Sequence, residues 1–323
     1  MLFRSERLGP PLGAPLFDRL ALIGVGLIGS SIARAARRKN LARVVVIADE
    51  SAEARERATA LKLGDEVVAD AAEAAADADL VILCVPVGAD EAVARAIAPK
   101  LKAGAIVSDV GSVKSAVIAA VGPHLPTGVA LVPAHPVAGT EQSGPDAGFA
   151  TLFVNRWCIL TPAGDVDPAA VAQVRAFWEA LGSNVETMNA AHHDLVLAIT
   201  SHVPHLIAYN IVGTASDLEE TTRSEVIKFS AGGFRDFTRI AASDPTMWRD
   251  VFLNNKQAVL EALGRFSEDL TALQRMIRYG DGEGLFALFA RTRAIRRGIV
   301  EMGQETAAPD FGRRKGEDEN GES

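Results

Sequence analysis

The sequence is short of cysteine. It has two in 323 residues, Cys84 and Cys158, far apart and each inside an apolar run. That excludes a disulfide framework and a cysteine metal motif, and leaves two buried free thiols as the expectation. Positive charge is also in deficit. Lys and Arg number 33 against 41 Asp and Glu, a net charge of −8, which argues against a nucleic-acid or anionic-membrane surface. The first residues, MLFRSERLGPP, contain no apolar core, so a secretory signal is not expected. No apolar run reaches the roughly 18 residues a membrane span needs. Together these absences lead to the expectation of a soluble cytoplasmic protein. What is present is bulk: 48% hydrophobic residues support sizeable cores, and the length suits two domains.

The most informative stretch runs from Leu20 to Asp49. An apolar run, Leu20–Ile23, ends in Gly24-Val25-Gly26-Leu27-Ile28-Gly29. A helix-forming segment follows from Ser30 to Arg38, then a second apolar run, Val44–Ala48, closed by Asp49. Strand, glycine turn, helix, strand and acid is the order of a dinucleotide-binding unit. Gly24 permits the tight turn, Gly26 lets a pyrophosphate approach the backbone, and Gly29 lets helix and strand pack closely. The N–H groups of the helix start, at Leu27, Ile28 and Gly29, then face the phosphates. Asp49, about 20 residues past the last glycine, suits a ribose 2′-OH and should repel a 2′-phosphate, so NAD is expected over NADP. Arg55 and Arg57 fall in the next helix and are expected to face away. Such glycines alone can be mere turn punctuation; here strand, helix and acid all agree.

Along the chain, residues 1–16 are rich in Gly and Pro and read as an irregular leader. Alternating apolar strands and helices then continue to Met188. Leu80–Val85 is uninterrupted in its apolarity, as expected for a strand buried on both faces of a parallel sheet. After Asn189 the pattern is helical. His193–Ile211 is a strongly apolar helix kinked or broken at Pro204, Gly232-Gly233 marks a loop, and a helix opened by Asp244-Pro245 could run to Tyr279. The expected architecture is an α/β Rossmann dinucleotide-binding domain over 17–188 followed by an all-α domain over 189–305. The charged tail, 306–323, reads as disordered.

Candidate chemistry concentrates on six histidines. His135 opens a glycine-rich loop at the carboxyl edge of the sheet and suits acid/base work beside a nicotinamide; the alternative is a loop histidine capping a strand. Ser112, after the neighbouring strand, could bond the same substrate atom or cap the helix near Lys114. His202 and His205 share a helix face, and without further ligands at fitting spacing they are not a metal site. His192 and His193 are expected to be exposed. Arg235 and Arg239 flank a glycine-containing segment, where a guanidinium suits a carboxylate. The apolar neighbours of Arg239 favour it, while Arg235 fits a surface arginine.

Five blocks resemble the prephenate/arogenate (cyclohexadienyl) dehydrogenases of tyrosine biosynthesis: GVGLIGSSIA (24–33), DVGSVK (109–114), HPVAGTEQSG (135–144), SHVPH (201–205) and GGFRDFTRIAASDPTMWRDVFLNN (232–255). The resemblance spans about Phe17 to Glu305. It implies a Rossmann domain, a helical domain through which two subunits form a homodimer, and NAD-dependent oxidative decarboxylation of prephenate, arogenate or both. By motif it implies His135 as the group that takes the hydroxyl proton and Ser112 as its helper. It implies Arg239 as the carboxylate-binding residue, His205, Thr140 and Gly232 as substrate-binding, and Glu141 as an acid that pairs with the arginine and gates the site. Aromatisation drives the loss of CO2, so no metal is expected. A neutral His135 implies activity rising through one ionisation near 6.5. With no chorismate mutase segment before the Rossmann unit and no ACT-like domain after the helices, a stand-alone dehydrogenase is expected. Two other readings compete. β-Hydroxyacid dehydrogenases use a helix-borne lysine, but Lys228 and Lys256 lie in no such motif. A non-catalytic NAD-sensing regulator should lack His135 or Arg239, and both are present.

Overall fold

The computed structural model describes residues 13–222 and 232–301. Residues 1–12 of the leader, Lys228 and the charged tail lie outside the described residues. Packing divides the chain into two compact units, one ending at Lys256 and the other beginning at Gln257.

The first unit is built on a six-stranded parallel sheet. Its strands are β1 (Phe17–Ile23), β2 (Ala42–Ala48), β3 (Glu66–Val68), β4 (Leu80–Leu83), β5 (Ile106–Asp109) and β6 (Ala130–Leu131), ordered β3-β2-β1-β4-β5-β6. This is the doubly wound dinucleotide-binding order. Leu20 pairs with Val45 on one side and Leu80 on the other. Successive residues of β1 point to opposite faces. Leu20 and Leu22 therefore enter one core with Ile32, Phe177 and Trp178, and Ala21 and Ile23 enter the other with Ala94, Ile97 and Val117. Helices on both faces explain why these strands read as unbroken apolar runs. Strand order reverses between β1 and β4, which opens a crevice beyond their carboxyl ends.

His135, expected on a loop, is instead the middle residue of a strand. β7 (Ala134–Pro136) runs antiparallel to β8 (Trp157–Leu160), which runs parallel to β9 (Asn184–Thr187); His135 sits opposite Ile159. A strand places a side chain more rigidly than a glycine-rich loop does.

Three helical expectations need correction. The apolar segment does not break at Pro204. It passes from α7 (Ala190–Leu197) through a π-helical turn, Ala198–His202, into α8 (Val203–Thr222). Proline has no N–H for the residue four back, and the wider turn absorbs that loss. The span Ala190–Leu218 is therefore long and apolar enough, by length and composition, to cross a membrane, which overturns the expectation of no such run. The helix opened by Asp244 and Pro245 stops at Asn254, not Tyr279, and a new one runs Lys256–Tyr279. Gly232-Gly233 opens a short helix, Gly232–Thr238, and not a loop.

The second unit holds the rest of that long helix and the helix Gly282–Glu301. Gly280, at φ 68, makes the left-handed turn between them. Ile277, Phe286, Phe289 and Ile295 are all more than half exposed.

Candidate active site

The glycine turn follows β1 at the crevice. A Cβ on Gly24 (φ +98) would lie 2.6 Å from the Cys84 carbonyl oxygen, and one on Gly29 would lie 2.2 Å from the Gly24 oxygen. Neither position admits a side chain. Gly26 differs, with nothing within 4 Å of a Cβ there, so its glycine keeps open room rather than packing. The helix it caps, α1 (Leu27–Lys39), has no side-chain cap and no acid in its first turn. Its first internal bond runs from Ser30 N to the Gly26 carbonyl at 2.9 Å, leaving the N–H groups of Leu27, Ile28 and Gly29 and the positive dipole end for phosphates. These residues fit a dinucleotide.

Asp49 directly follows β2. Its carboxylate accepts from Val25 N at 2.9 Å and from Ser51 N at 2.9 Å, which fixes it beside the turn. Arg55 and Arg57 do not face away. Arg55 Nη1 donates to the carbonyls of Asp49 and Glu50 at 2.8 and 2.9 Å. Arg57 Nε donates to Asp146 at 2.8 Å, tying α2 (Ala52–Ala60) to the segment after His135. Cys84 lies under the turn, where burial and then the charges of Asp109 and Asp90 push its thiol up. It is therefore no nucleophile.

His135 is buried, with Nδ1 2.8 Å from Nε2 of His193. His193, expected to be exposed, is completely buried, and its Nδ1 lies 2.9 Å from Asp194 Oδ1. His192 is exposed as expected. Burial holds the His135 ring well below 6.5, with His193, Lys114 and His202 adding to the effect. This corrects the expectation of an ionisation near 6.5. The strand is gripped just before the histidine. Lys114 and Asp109 form a buried ion pair. Lys114 Nζ donates to the Ala134 carbonyl at 2.7 Å, and Asp109 Oδ1 accepts from Ala134 N at 3.1 Å. Both backbone groups of the residue before His135 are thus held by charged partners. Asp90 is buried nearby, and burial followed by the charge of Asp109 pushes its carboxyl up to about 8.

Ser112 is half-buried in the turn after β5. It does not cap α5 (Lys114–Val121), whose N-cap is Val113 with no side-chain bond. Asp194 caps that helix, accepting from Lys114 N at 2.7 Å and Ser115 N at 2.9 Å.

Arg239 Nη1 donates to Glu141 Oε2 at 2.7 Å. Among the described residues Arg235 pairs with its neighbour Asp236, and it is largely exposed, which suits the surface reading. His205 stacks on Trp248 with ring centroids 3.7 Å apart. Its ring is held below 6.5 by burial, with the charge of Arg239 adding to that. His202 is fully buried. Its Nδ1 lies 3.1 Å from Asn255 Nδ2, and burial lowers its ring to about 4. Among the described residues, His202 Nε2 and Trp248 Nε1 are buried without a hydrogen-bond partner. Thr140 Oγ1 accepts from Gln142 N at 3.2 Å and shapes its own turn. Gly232 is exposed, and a Cβ there would lie 3.8 Å from Arg235 Nη2.

The structure therefore brings His135, His205, Glu141 and Arg239 into one region. It adds Asp194, Trp248 and Asn255, which sequence reasoning passed over, and His193 and His202, which it had named without giving them a role in the site. No local signal marked them: neighbouring helix positions point about 100° apart, and in a helix apolar on most sides this does not say which of His192 and His193 turns inward.

Two family models match the chain: the prephenate dehydrogenase nucleotide-binding domain over residues 32–187 and the prephenate dehydrogenase dimerization domain over 189–291. The cyclohexadienyl dehydrogenase of Zymomonas mobilis is 46% identical over 281 residues, covering 87% of this chain and 96% of the relative. The prephenate dehydrogenase of Bacillus subtilis is 34% identical over 307 residues, covering 91% and 79%. A crystal structure of prephenate dehydrogenase from A. aeolicus in complex with hydroxyphenyl propionate and NAD+ superposes with a TM-score of 0.81 at 33% identity, covering 87% and 98%.

Proposed function

The chain belongs to the prephenate dehydrogenase family, and on that premise we propose that it oxidatively decarboxylates prephenate, arogenate or both with NAD in tyrosine biosynthesis. The observation that carries this reading is a neutral, buried histidine on β7 in one region with an arginine already paired to a carboxylate. NAD, when bound, accepts the hydride from the ring carbon that bears the hydroxyl. His135 takes the hydroxyl proton as positive character builds on that carbon. The ring carboxylate then leaves as CO2, and its electron pair completes the aromatic ring. His135 returns the proton to the phenolate oxygen, so the cycle neither gains nor loses a proton at the enzyme. Ser112 is assigned as a second hydrogen-bond partner of the same hydroxyl. Arg239 is assigned to the substrate carboxylate, with Glu141 as the acid it exchanges, and His205, Thr140 and Gly232 to substrate contact. Gly24, Gly26, Leu27, Ile28, Gly29 and Asp49 are assigned to NAD.

We divide the chain functionally at Met188, where the two family models meet, and assign the helical part to dimerisation. The exposed Ile277, Phe286, Phe289 and Ile295 are the apolar surface a second copy would cover. A metabolic role of this kind places the protein in the cytoplasm. The test is absorbance at 340 nm with prephenate or arogenate and NAD, together with capture of CO2. Absorbance growth without CO2 would overturn the reading.

A further inference from the structure

The hydrogen-bonded line from Asp194 to His135 has a direction that its chemistry dictates. Asp194 Oδ1 accepts from Lys114 N at 2.7 Å and Oδ2 from Ser115 N at 2.9 Å, at the positive end of α5. Burial alone would raise this carboxyl, but the hydrogen bonds from His193, Ser115 and Lys114 outweigh it and hold it below the usual carboxylate range. An ionised carboxylate only accepts. The hydrogen between Asp194 Oδ1 and His193 Nδ1, 2.9 Å apart, therefore sits on the histidine. Burial lowers the His193 ring against the opposing pull of Asp194, so it is neutral and its Nε2 keeps a lone pair. His135 Nδ1 lies 2.8 Å from His193 Nε2, and because that nitrogen accepts, His135 Nδ1 must be the donor. One hydrogen is then spent, and Nε2 of the neutral His135 is left as its only acceptor.

We propose that His193 and Asp194 are positioning residues that hold His135 in its Nδ1–H tautomer, so that Nε2 is the nitrogen presented to the substrate hydroxyl. The proposal rests on His135 being the base. A wrong tautomer at such a site is costly: in serine proteases, replacing the orienting aspartate by asparagine lowers kcat about ten-thousandfold. Two features keep the line intact here. Asn255 Nδ2 donates to the Asp194 carbonyl at 2.8 Å, locking the residue where the long helix breaks. The Lys114–Asp109 pair clasps Ala134, setting the His135 backbone. Protonating His193 would reverse the line, because its Nε2 would then donate and move the His135 hydrogen to Nε2. The groups facing the two rings are Asp109 from β5, Lys114 from α5, Asp194 from α7 and His202 from the π-helical turn.

The test is nitrogen-15 NMR of the histidine rings in the labelled full-length protein at pH 7.5, with signals assigned by His135→Asn and His193→Gln. His135 and His193 are each expected to be protonated at Nδ1 and bare at Nε2. A His135 ring protonated at Nε2 overturns the proposal, and this measurement needs no functional variant. Asp194→Asn should lower kcat at least tenfold, leave substrate KM within about threefold, and shift the His135 tautomer in the same spectrum. A variant that only lowers the melting temperature and keeps the tautomer would assign Asp194 a purely structural role and also overturn it. His193→Gln, which can still accept, should recover part of the turnover lost in His193→Leu. If His135→Asn keeps full turnover, the base assignment fails separately, while the spectrum still decides the tautomer.

Discussion

Arg239 donates to Glu141 at 2.7 Å across 98 residues of sequence. If Arg239 holds the substrate carboxylate, as proposed, substrate must displace a carboxylate the chain itself supplies. Both side chains are partly exposed, at 39% and 29%, so the pair is worth only up to about 1 kcal/mol. A bidentate grip on a desolvated substrate carboxylate is worth more, around 2–5 kcal/mol. Arg239→Gln should raise substrate KM, lower kcat/KM at least tenfold and leave KM for NAD nearly unchanged, with Arg239→Lys recovering part. Glu141→Gln should do the opposite and lower substrate KM about two- to fivefold, in line with the modest energy of the pair. Steady-state kinetics on the three variants checks both. If both arginine variants keep wild-type KM, the carboxylate is held elsewhere.

His135 must be neutral to take a proton, and its ring is held well below 6.5. Activity should therefore be insensitive to this group around pH 6.5 and fall only at lower pH, as the ring charges. His135→Asn should lose turnover about a hundredfold or more while still binding substrate. A kcat profile that titrates at 6.5 and loses that step in the variant would contradict the placement of this ionisation.

Asp49 is held by Val25 N and Ser51 N, and the proposed function assigns it to a ribose hydroxyl. NAD should be used with at least tenfold higher kcat/KM than NADP, and Asp49→Ser should narrow that gap by removing the repulsion of a 2′-phosphate. Equal efficiency of the wild type with both cofactors would refute this.

Asp90 gives a pH prediction for stability. Its folded pKa, about 8, lies above the ordinary carboxyl value of 3.8, so the folded state binds more protons than the unfolded one between these values. Stability from this group is complete below the lower value and is lost as pH rises toward the upper one. Asp90→Asn cannot ionise, so its melting temperature should gain on the wild type from pH 6 to 8 and then level off. A constant difference across that range would show that Asp90 ionises normally.

The helical surface should pair with a second copy. Light scattering at micromolar concentration should report a dimer, and Phe286→Lys with Phe289→Lys should shift it toward monomer, because both rings are more than half exposed. A wild-type monomer would defeat the assignment.

Local physics made the nucleotide half legible in the sequence. Gly24, Gly26, Leu27, Ile28, Gly29 and Asp49 lie within one turn and two strands, where backbone sterics and the open helix end specify both conformation and ligand. His135 and Arg239 were legible as residue types suited to their chemistry, and the motifs around them pointed to the family. Their surroundings were not legible. The helix Ala190–Leu218 is apolar on most sides, so periodicity could not say that His193 turns inward while His192 stays exposed. Helix propensity runs unbroken from Pro245 toward Tyr279, but the helix breaks at Asn255, whose side chain bonds Asp194 and His202. His135 and His193 are 58 residues apart, and Lys114 and Asp194 are 80 apart. Residue types alone determined that a nucleotide and a base were available. Which nitrogen of His135 carries the hydrogen depends, on the proposed reading, on His193 and Asp194, partners distant in sequence that only the folded chain brings together and shields from water.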